Sequence, residues 1–123
     1  MLSDLKILII DDDEDDYFIT SQYLEEIESI NISCNWSYNI KDALQKLISN
    51  QYELYFLDYR LGAKTGLELL QEAIENGAQK PIILLTGKGT REIDTLAVES
   101  GVYDYLIKNE LNSEKLERCI RYA

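Results

Sequence analysis

Residues 54–62, Leu-Tyr-Phe-Leu-Asp-Tyr-Arg-Leu-Gly, place one carboxylate directly after a short run of apolar and aromatic side chains. Such a run is typical of a strand that is buried on both faces of a parallel sheet. Asp58 then lies where the strand leaves the sheet, which is where ligands bind in open α/β sheets. A carboxylate beside an apolar core is costly unless cations, donors or a metal meet it. Asp58 therefore either caps the next turn or belongs to a site.

The composition describes an acidic domain of ordinary globular type. The chain has 123 residues, of which 46% are hydrophobic and 28% charged, enough for one hydrophobic core. Its formal net charge is −11. This much negative charge, without a concentrated basic patch, repels phosphate backbones and anionic lipid surfaces. We therefore expect no direct contact with nucleic acid and none with a membrane.

The cysteines and the N-terminus bear on the compartment. Cys34 and Cys119 are far apart, the chain has no histidine, and no C-x-x-C pair occurs, so zinc and redox motifs lack their ligands. No apolar run approaches membrane-spanning length, and the N-terminus lacks a signal-peptide pattern. These features predict a soluble protein of the reducing cytoplasm.

Strand and helix patterns alternate along the chain. Apolar runs predict five strands, at 5–10, 32–38, 54–57, 81–85 and 102–107. The run at 32–38 alternates apolar and polar residues, as a less buried edge strand does. Connections as short as these favour right-handed crossovers onto one parallel sheet. The fold class is therefore α/β with a five-stranded parallel sheet.

A helix is predicted after each strand. The expected N-caps are Asp13, Asn39, Thr65 and Ser113. The fourth helix is expected over residues 90–100. In the first helix, the spacing of Phe18, Leu24 and Ile27 predicts the face that packs on the core.

Polar side chains follow four of the five predicted strands. They are Asp11 and Asp12 after the first, Asp58 after the third, Thr86 after the fourth and Lys108 after the fifth. Because the carboxyl ends of parallel strands share one edge of the sheet, these side chains are expected to converge. Three carboxylates in one cleft repel each other, and a hard divalent cation relieves that repulsion. Mg²⁺ is the predicted ion, with Mn²⁺ as the alternative.

The expected site is neutral and can accept a phosphoryl group. The charges of three carboxylates, one lysine and one divalent ion cancel, which leaves room for a dianion. Phosphoryl transfer needs a positioned nucleophile and cations on the phosphoryl oxygens. Asp58 is the predicted nucleophile, with Lys108 and the Thr86 hydroxyl on the oxygens. Each residue also has an ordinary alternative, Lys108 as a surface lysine and Thr86 as a helix cap.

The chain resembles a known family. The segments that carry the resemblance are ILII before Asp11-Asp12, Leu57-Asp58, LL before Thr86-Gly87, and Tyr105-Leu-Ile-Lys108. In their joint spacing they resemble the receiver domains of response regulators from two-component signalling. The resemblance covers essentially the whole chain, residues 1–123. It implies a three-layer, flavodoxin-like fold with strand order 2-1-3-4-5, and a signalling switch rather than an enzyme, with at most self-phosphorylation and self-dephosphorylation.

The resemblance also implies residue roles and partners. Asp58 would be phosphorylated by the phosphohistidine of a sensor histidine kinase or a phosphotransfer protein. Mg²⁺ would be held by Asp12, Asp58, the main-chain carbonyl of Arg60 and, through water, Asp11. The catalytic residues would be Asp58, Thr86 and Lys108.

A conformational switch is implied as well. Thr86 would move toward the phosphoryl group while Tyr105 turns inward. The two movements would remodel the face formed by the fourth helix, the fifth strand and the last helix. From the residues alone, Tyr105 is equally well an ordinary half-buried strand tyrosine.

Three rival interpretations remain open at this point. A haloacid-dehalogenase-type phosphatase shares the Asp11-x-Asp13 pattern, but that motif usually has Thr or Val where this chain has Asp15, and no cap domain is evident. A flavodoxin that binds flavin is disfavoured because the acidic first loop repels a phosphate. A receiver-like scaffold that binds partners without phosphorylation is the third.

The last predicted helix runs to the end of the sequence without a glycine or proline to stop it. The hypothesis from this pattern is that the natural chain continues past Ala123 into an output or second signalling domain, whose identity the sequence does not reveal.

Overall fold

The computed structural model describes residues 2–62, 64–87, 95–96 and 99–123. Within them, five parallel strands form the main sheet in the order β2-β1-β3-β4-β5. The strands are β1 (Leu2–Ile10), β2 (Ile30–Ser37), β3 (Leu54–Asp58), β4 (Ile82–Thr86) and β5 (Asp104–Ile107). The predicted fold class and the strand order 2-1-3-4-5 are confirmed.

Strand burial follows the sequence pattern. Every residue of β3 and β4 is buried, because each strand is covered by helices on both faces. β2 lies at an edge of the sheet, and most of its side chains alternate between exposed and partly buried positions. The apolar runs in the middle of the sheet therefore fix the core.

Helices cover both faces of the sheet. They are α1 (Glu14–Glu25), α2 (Ile40–Ser49), α3 (Gly66–Glu75) and the last helix (Ser113–Tyr122). Leu24 of α1 shares one buried cluster with Leu116 and Ile120 of the last helix. Leu47 of α2 and Leu70 of α3 belong to the cluster on the opposite face. The domain thus has three layers, α/β/α.

The helix caps are mostly as predicted. Asp13, Asn39 and Thr65 each accept a hydrogen bond from a main-chain N–H of the first turn, and Thr65 forms a full capping box with Glu68. The prediction for the last helix was wrong by one residue. Its cap is Asn112, whose side chain accepts from the N–H of Lys115 at 2.8 Å.

The inner face of α1 differs from the prediction. Phe18 is 57% exposed, whereas Thr20 and Ser21 are buried together with Leu24. Polar residues occupy inward positions in this helix. A prediction based on apolar residues alone therefore misplaced the buried face by about one residue. Ile27 is buried as expected, just beyond the end of the helix.

Two further features concern the segments around the sheet. The predicted fourth helix, 90–100, lies largely outside the described residues, of which 95–96 and 99–100 are helical. After Asp58 the chain forms a short antiparallel pair, Arg60–Leu61 with Lys64–Thr65, that the sequence did not predict. Among the helices of the described residues, none has the length and apolar character needed to cross a membrane.

Candidate functional site

The register of the sheet brings two carboxylates side by side. Ile10 pairs with Leu57, so Asp11 and Asp58 occupy the same level where β1 and β3 end. Asp11 is fully buried and Asp58 is 5% exposed, whereas Asp12 is exposed. The convergence predicted for these three residues is confirmed.

The other two predicted side chains lie at the same edge. Thr86 is the last residue of β4, is 2% exposed and pairs with Ile107, the residue before Lys108. Lys108 begins a short 3₁₀ turn, Lys108–Glu110, and its side chain is 19% exposed. The structure therefore places every predicted strand-end residue at the carboxyl edge of the sheet.

Lys108 is bound to three carboxylates. Its Nζ lies 3.0 Å from Asp11 Oδ2 and 3.1 Å from Asp58 Oδ1. A third contact, at 2.8 Å, goes to Asp16 Oδ2 in the first turn of α1. The lysine thus joins β5 to β1, β3 and α1, and it is not the surface lysine of the alternative interpretation.

The acidic residues suit a hard divalent cation. Oxygens of Asp11, Asp12 and Asp58 lie within 4.8 Å of one another. Oxygens that share one Mg²⁺ are at most about 4 Å apart, so small side-chain shifts would let one ion meet all three carboxylates, directly or through water. Carboxylate oxygens are also the donors that this ion prefers. The residues present therefore fit the predicted metal.

The pKa shifts of the buried carboxylates also favour a bound cation. Burial, and then the negative charge of Asp11, raise the pKa of Asp58 to about 7, although Lys108 opposes the shift. Burial likewise raises the pKa of Asp11, although a hydrogen bond from the Asp13 main chain and Lys108 opposes it. One lysine does not fully compensate these carboxylates, and a divalent cation would complete the compensation.

Lys108 itself remains protonated. Burial by itself lowers the pKa of its ammonium group. Hydrogen bonds to Asp16 and Asp11 outweigh that effect, and the charge of Asp58 adds to them, so the pKa is raised above its ordinary value. The site therefore holds a fixed positive charge beside Asp58.

The backbone around Asp58 explains part of its placement. The main-chain N–H of Arg60 donates to the Asp58 carboxylate, which lowers the pKa of that group. The predicted role of the Arg60 carbonyl as a metal ligand stays a prediction. Gly66, the first residue of α3, packs so closely on Asp58 that an added Cβ would lie 2.2 Å from its carbonyl oxygen.

Three residues of this region were not predicted from the sequence. Asp16 lies in a run of acidic residues, and such a run does not show which of its members turns toward Lys108. Gly66 follows the cap residue Thr65, and no local pattern reveals its close contact with Asp58. Trp36 donates from Nε1 to the Asp11 carbonyl oxygen at 2.7 Å and stacks on Tyr17 with ring centroids 4.8 Å apart. Asp11 is therefore held through its main chain as well.

Tyr105 lies on β5, three residues before Lys108, and pairs with Leu84 of β4. It is half-buried and packs against the core cluster on the α2 and α3 face. Its position fits either a switch residue or a structural tyrosine, so the predicted role in switching stays a prediction.

The chain belongs to the response regulator receiver domain family. The family model matches residues 7–121, which include every strand-end residue described above. Receiver domains are signalling domains, and this assignment confirms the resemblance seen in the sequence.

Similar proteins include a response regulator ArlR from Staphylococcus saprophyticus, 32% identical over 104 residues. The match covers 84% of this chain and 45% of that protein. Response regulator ArlR from Staphylococcus aureus is 30% identical over the same span. The chain thus spans less than half the length of the curated relatives it matches.

Solved structures of response regulators are similar over nearly the whole chain. A two-component response regulator from Clostridium difficile is 35% identical, with a TM-score of 0.79 over 96% of this chain and 93% of that one. A response regulator protein from Burkholderia pseudomallei is 25% identical, with a TM-score of 0.77 over 94% of this chain and 65% of that one. Its structure contains a phosphorylated aspartic acid, a calcium ion and citrate.

Proposed function

We propose that Asp58 accepts a phosphoryl group in a Mg²⁺-dependent reaction and that the chain acts as the phosphorylation switch of a two-component pathway. One observation carries this proposal. Lys108 Nζ contacts Asp58 Oδ1 at 3.1 Å, in a cluster where three carboxylates lie within 4.8 Å. A carboxylate, a fixed cation and further carboxylate oxygens lie together, and this supports a site that supplies the nucleophile and the metal ligands of phosphoryl transfer.

The transfer is a displacement at phosphorus. An Asp58 carboxylate oxygen attacks, and an acyl phosphate forms as the bond from phosphorus to the donor's imidazole nitrogen breaks. The electron pair of that bond stays on the imidazole. Lys108 orients the Asp58 carboxylate before attack and neutralises phosphoryl charge afterwards. Thr86 is the proposed hydroxyl donor to another phosphoryl oxygen.

The metal site draws on residues of this chain that are already close together. Mg²⁺, or Mn²⁺, would neutralise the carboxylates and polarise the phosphoryl group when bound. Asp12 and Asp58 would supply direct ligands together with the Arg60 carbonyl. Asp11 would act through water, since Lys108 and the N–H of Asp13 already occupy its two oxygens, both at 3.0 Å.

The output would be a change of surface. In the proposed switch, Thr86 moves toward the phosphoryl group and Tyr105 turns inward. The changed face would include β5, the last helix and the segment that precedes β5. Thr86 pairs with Ile107 of β5, the strand that also carries Tyr105, and this pairing supports the coupling.

The proposed phosphoryl donors are a sensor histidine kinase or a phosphotransfer protein that carries a phosphohistidine. The phosphorylated aspartic acid and the calcium ion of the Burkholderia pseudomallei structure support both the acceptor chemistry and a divalent site. Since relatives extend well beyond the matched region, an output domain or partner is proposed but not identified.

Incubation with acetyl phosphate and Mg²⁺ tests the central step. Intact-mass measurement should show one added phosphoryl group on the wild type and none on Asp58→Asn, and EDTA should prevent the addition. Asp104→Asn, which changes an acidic residue at the opposite end of β5, serves as a matched control and should be phosphorylated normally. A folded wild type that gains no mass would instead support an unphosphorylated scaffold.

A further inference from the structure

The ammonium group of Lys108 contacts one carboxylate more than the phosphoryl-transfer site described above contains. It has three N–H donors, and it lies within 3.1 Å of three carboxylates. Two of them, Asp11 and Asp58, belong to the site already described. The third, Asp16, makes the shortest contact, at 2.8 Å, and comes from α1. A phosphoryl group on Asp58 would therefore share this cation with Asp16.

The three carboxylates differ in how easily they can leave the lysine. The side chain of Asp11 is fully buried, and its second oxygen accepts from the N–H of Asp13. The side chain of Asp16 is 40% exposed, so water can solvate it after release. Release of a buried carboxylate is far more costly than release of an exposed one. Asp16 is therefore the partner that can exchange with a phosphoryl oxygen.

Asp16 also changes the charge of the site. The three clustered carboxylates, Lys108 and a divalent ion have no net charge, which suits an incoming dianion. Asp16 adds one negative charge in direct contact with the lysine. A carboxylate here repels a phosphoryl group on Asp58 and attracts a metal cation.

We propose that Asp16 is a positioning residue that holds Lys108 toward α1 and competes with the phosphoryl group for its charge, so that Asp16 limits how fully Asp58 is phosphorylated. The inference rests on the proposed function and adds a regulating residue to it. It predicts that removal of the Asp16 charge changes the affinities for the phosphoryl group and for the metal in opposite directions. Loss of the Asp16 charge should strengthen binding of a phosphoryl analogue and weaken binding of Mg²⁺.

A merely structural role would give a different signature. The phosphoryl group and the metal both depend on the same arrangement of β1, β3 and β5. A variant that disturbs this arrangement should therefore weaken both ligands together. The sign of the two effects, rather than the size of either, separates the interpretations.

The experiment compares wild type with Asp16→Asn, Asp16→Glu and Asp15→Asn. Asp15 is an exposed acidic residue of the same helical turn, so its variant has the same net charge as Asp16→Asn. Titration calorimetry measures Mg²⁺ binding and then the binding of beryllium trifluoride, a phosphoryl analogue, in excess Mg²⁺. Acetyl phosphate and intact mass give the phosphorylated fraction of Asp58. Thermal melting verifies that each variant is folded.

Asp16→Asn should bind beryllium trifluoride about three- to tenfold more tightly and Mg²⁺ about two- to threefold more weakly than wild type. Its phosphorylated fraction should rise accordingly. Asp16→Glu, which keeps the carboxylate, should stay near wild type, and Asp15→Asn should change each affinity by less than about twofold.

Three outcomes overturn the inference, and they are distinguishable. If wild type is phosphorylated on Asp58 but Asp16→Asn behaves like Asp15→Asn, the competition does not exist while the proposed function stands. If Asp16→Asn and Asp16→Glu both weaken the two ligands together, Asp16 is structural. If wild type gains no phosphoryl group and binds no analogue, the proposed function fails and the inference fails with it.

Discussion

Lys108 Nζ reaches past the end of β4 to lie 3.1 Å from Asp58 Oδ1, although β3 and β5 are not neighbours in the sheet. The contact joins a cation to the proposed nucleophile, which is only 5% exposed. Since a buried carboxylate needs compensation, Lys108 supports the ionised form of Asp58 before any metal binds. The same ammonium group lies where the charge of a phosphoryl group would appear.

Lys108→Ala should separate the effect of the lysine on the Asp58 carboxylate from its effect on the phosphoryl group. Removal of the cation should lower the phosphorylated fraction of Asp58 by about tenfold or more, because developing phosphoryl charge loses its fixed partner. Mg²⁺ affinity should rise, since a competing positive charge is gone. Intact mass after acetyl phosphate treatment and titration calorimetry check the two effects. Lys115→Ala, which removes an exposed lysine of the last helix, should change neither.

The pKa of Asp58 predicts how stability depends on pH when no divalent ion is present. Its folded-state pKa, about 7, lies above the ordinary value of 3.8. A raised folded-state pKa contributes stability that is present below about pH 4 and is lost as the pH rises through about 7. The melting temperature in EDTA should therefore fall between pH 5 and pH 8, by about 5 °C or more.

Asp58→Asn is the control for this pH dependence. The variant has no carboxylate to ionise, so its melting temperature should fall less over the same pH range. Mg²⁺ at pH 8 should restore the wild type and should have a smaller effect on Asp58→Asn. Equal pH dependence in the two proteins would show that other groups cause the loss.

The sheet was predictable because its strands are apolar runs that only a doubly covered parallel sheet can bury. The strand order and the position of the site were predicted on different grounds. The carboxyl-end rule placed Asp11, Asp58 and Lys108 at one edge, and the register then brought Asp11 level with Asp58. The order itself came from the family resemblance, since periodicity does not say which strands pair.

The inner face of α1 and two contacts of the site could not be predicted from the sequence. The inner face of α1 carries Thr20 and Ser21, so apolar spacing is a weak guide there. The choice of Asp16 as a partner of Lys108 depends on where a long, flexible side chain settles among several acidic residues. The close approach of Gly66 to Asp58 depends on a tertiary contact that no local pattern encodes.

Gly66→Ala tests that close approach. A Cβ at this position would lie 2.2 Å from the carbonyl oxygen of Asp58, a main-chain atom that cannot move without moving the Asp58 side chain. The variant should lose about 2–4 kcal/mol of unfolding free energy and should also be phosphorylated less. Urea denaturation measures the first effect and intact mass the second.

Gly87→Ala is the matched comparison for stability. An added Cβ there meets nothing within 4 Å, so the unfolding free energy should change by less than about 1 kcal/mol. If Gly66→Ala is as stable as Gly87→Ala, the backbone of Asp58 can retreat freely, and the close packing has no role in holding the nucleophile.

Asp12 and Asp13 are consecutive acidic residues for which the structure predicts different roles. Asp12 belongs to the cluster of carboxylates within 4.8 Å, whereas Asp13 caps α1 by accepting from the main-chain N–H of Asp15 at 2.9 Å. Asp12→Asn should therefore weaken Mg²⁺ binding by about tenfold and leave the melting temperature in EDTA unchanged or higher, because a repelled charge is removed.

Asp13→Ala should show the reverse. Loss of the cap should cost about 1 kcal/mol of unfolding free energy, with the melting temperature lower by about 5 °C. Mg²⁺ affinity should change by less than about threefold, since the main-chain N–H that binds Asp11 is retained. Calorimetric titration and thermal melting of both variants provide the comparison. Similar losses of Mg²⁺ affinity would mean that overall negative charge attracts the ion, and that Asp12 is not a ligand.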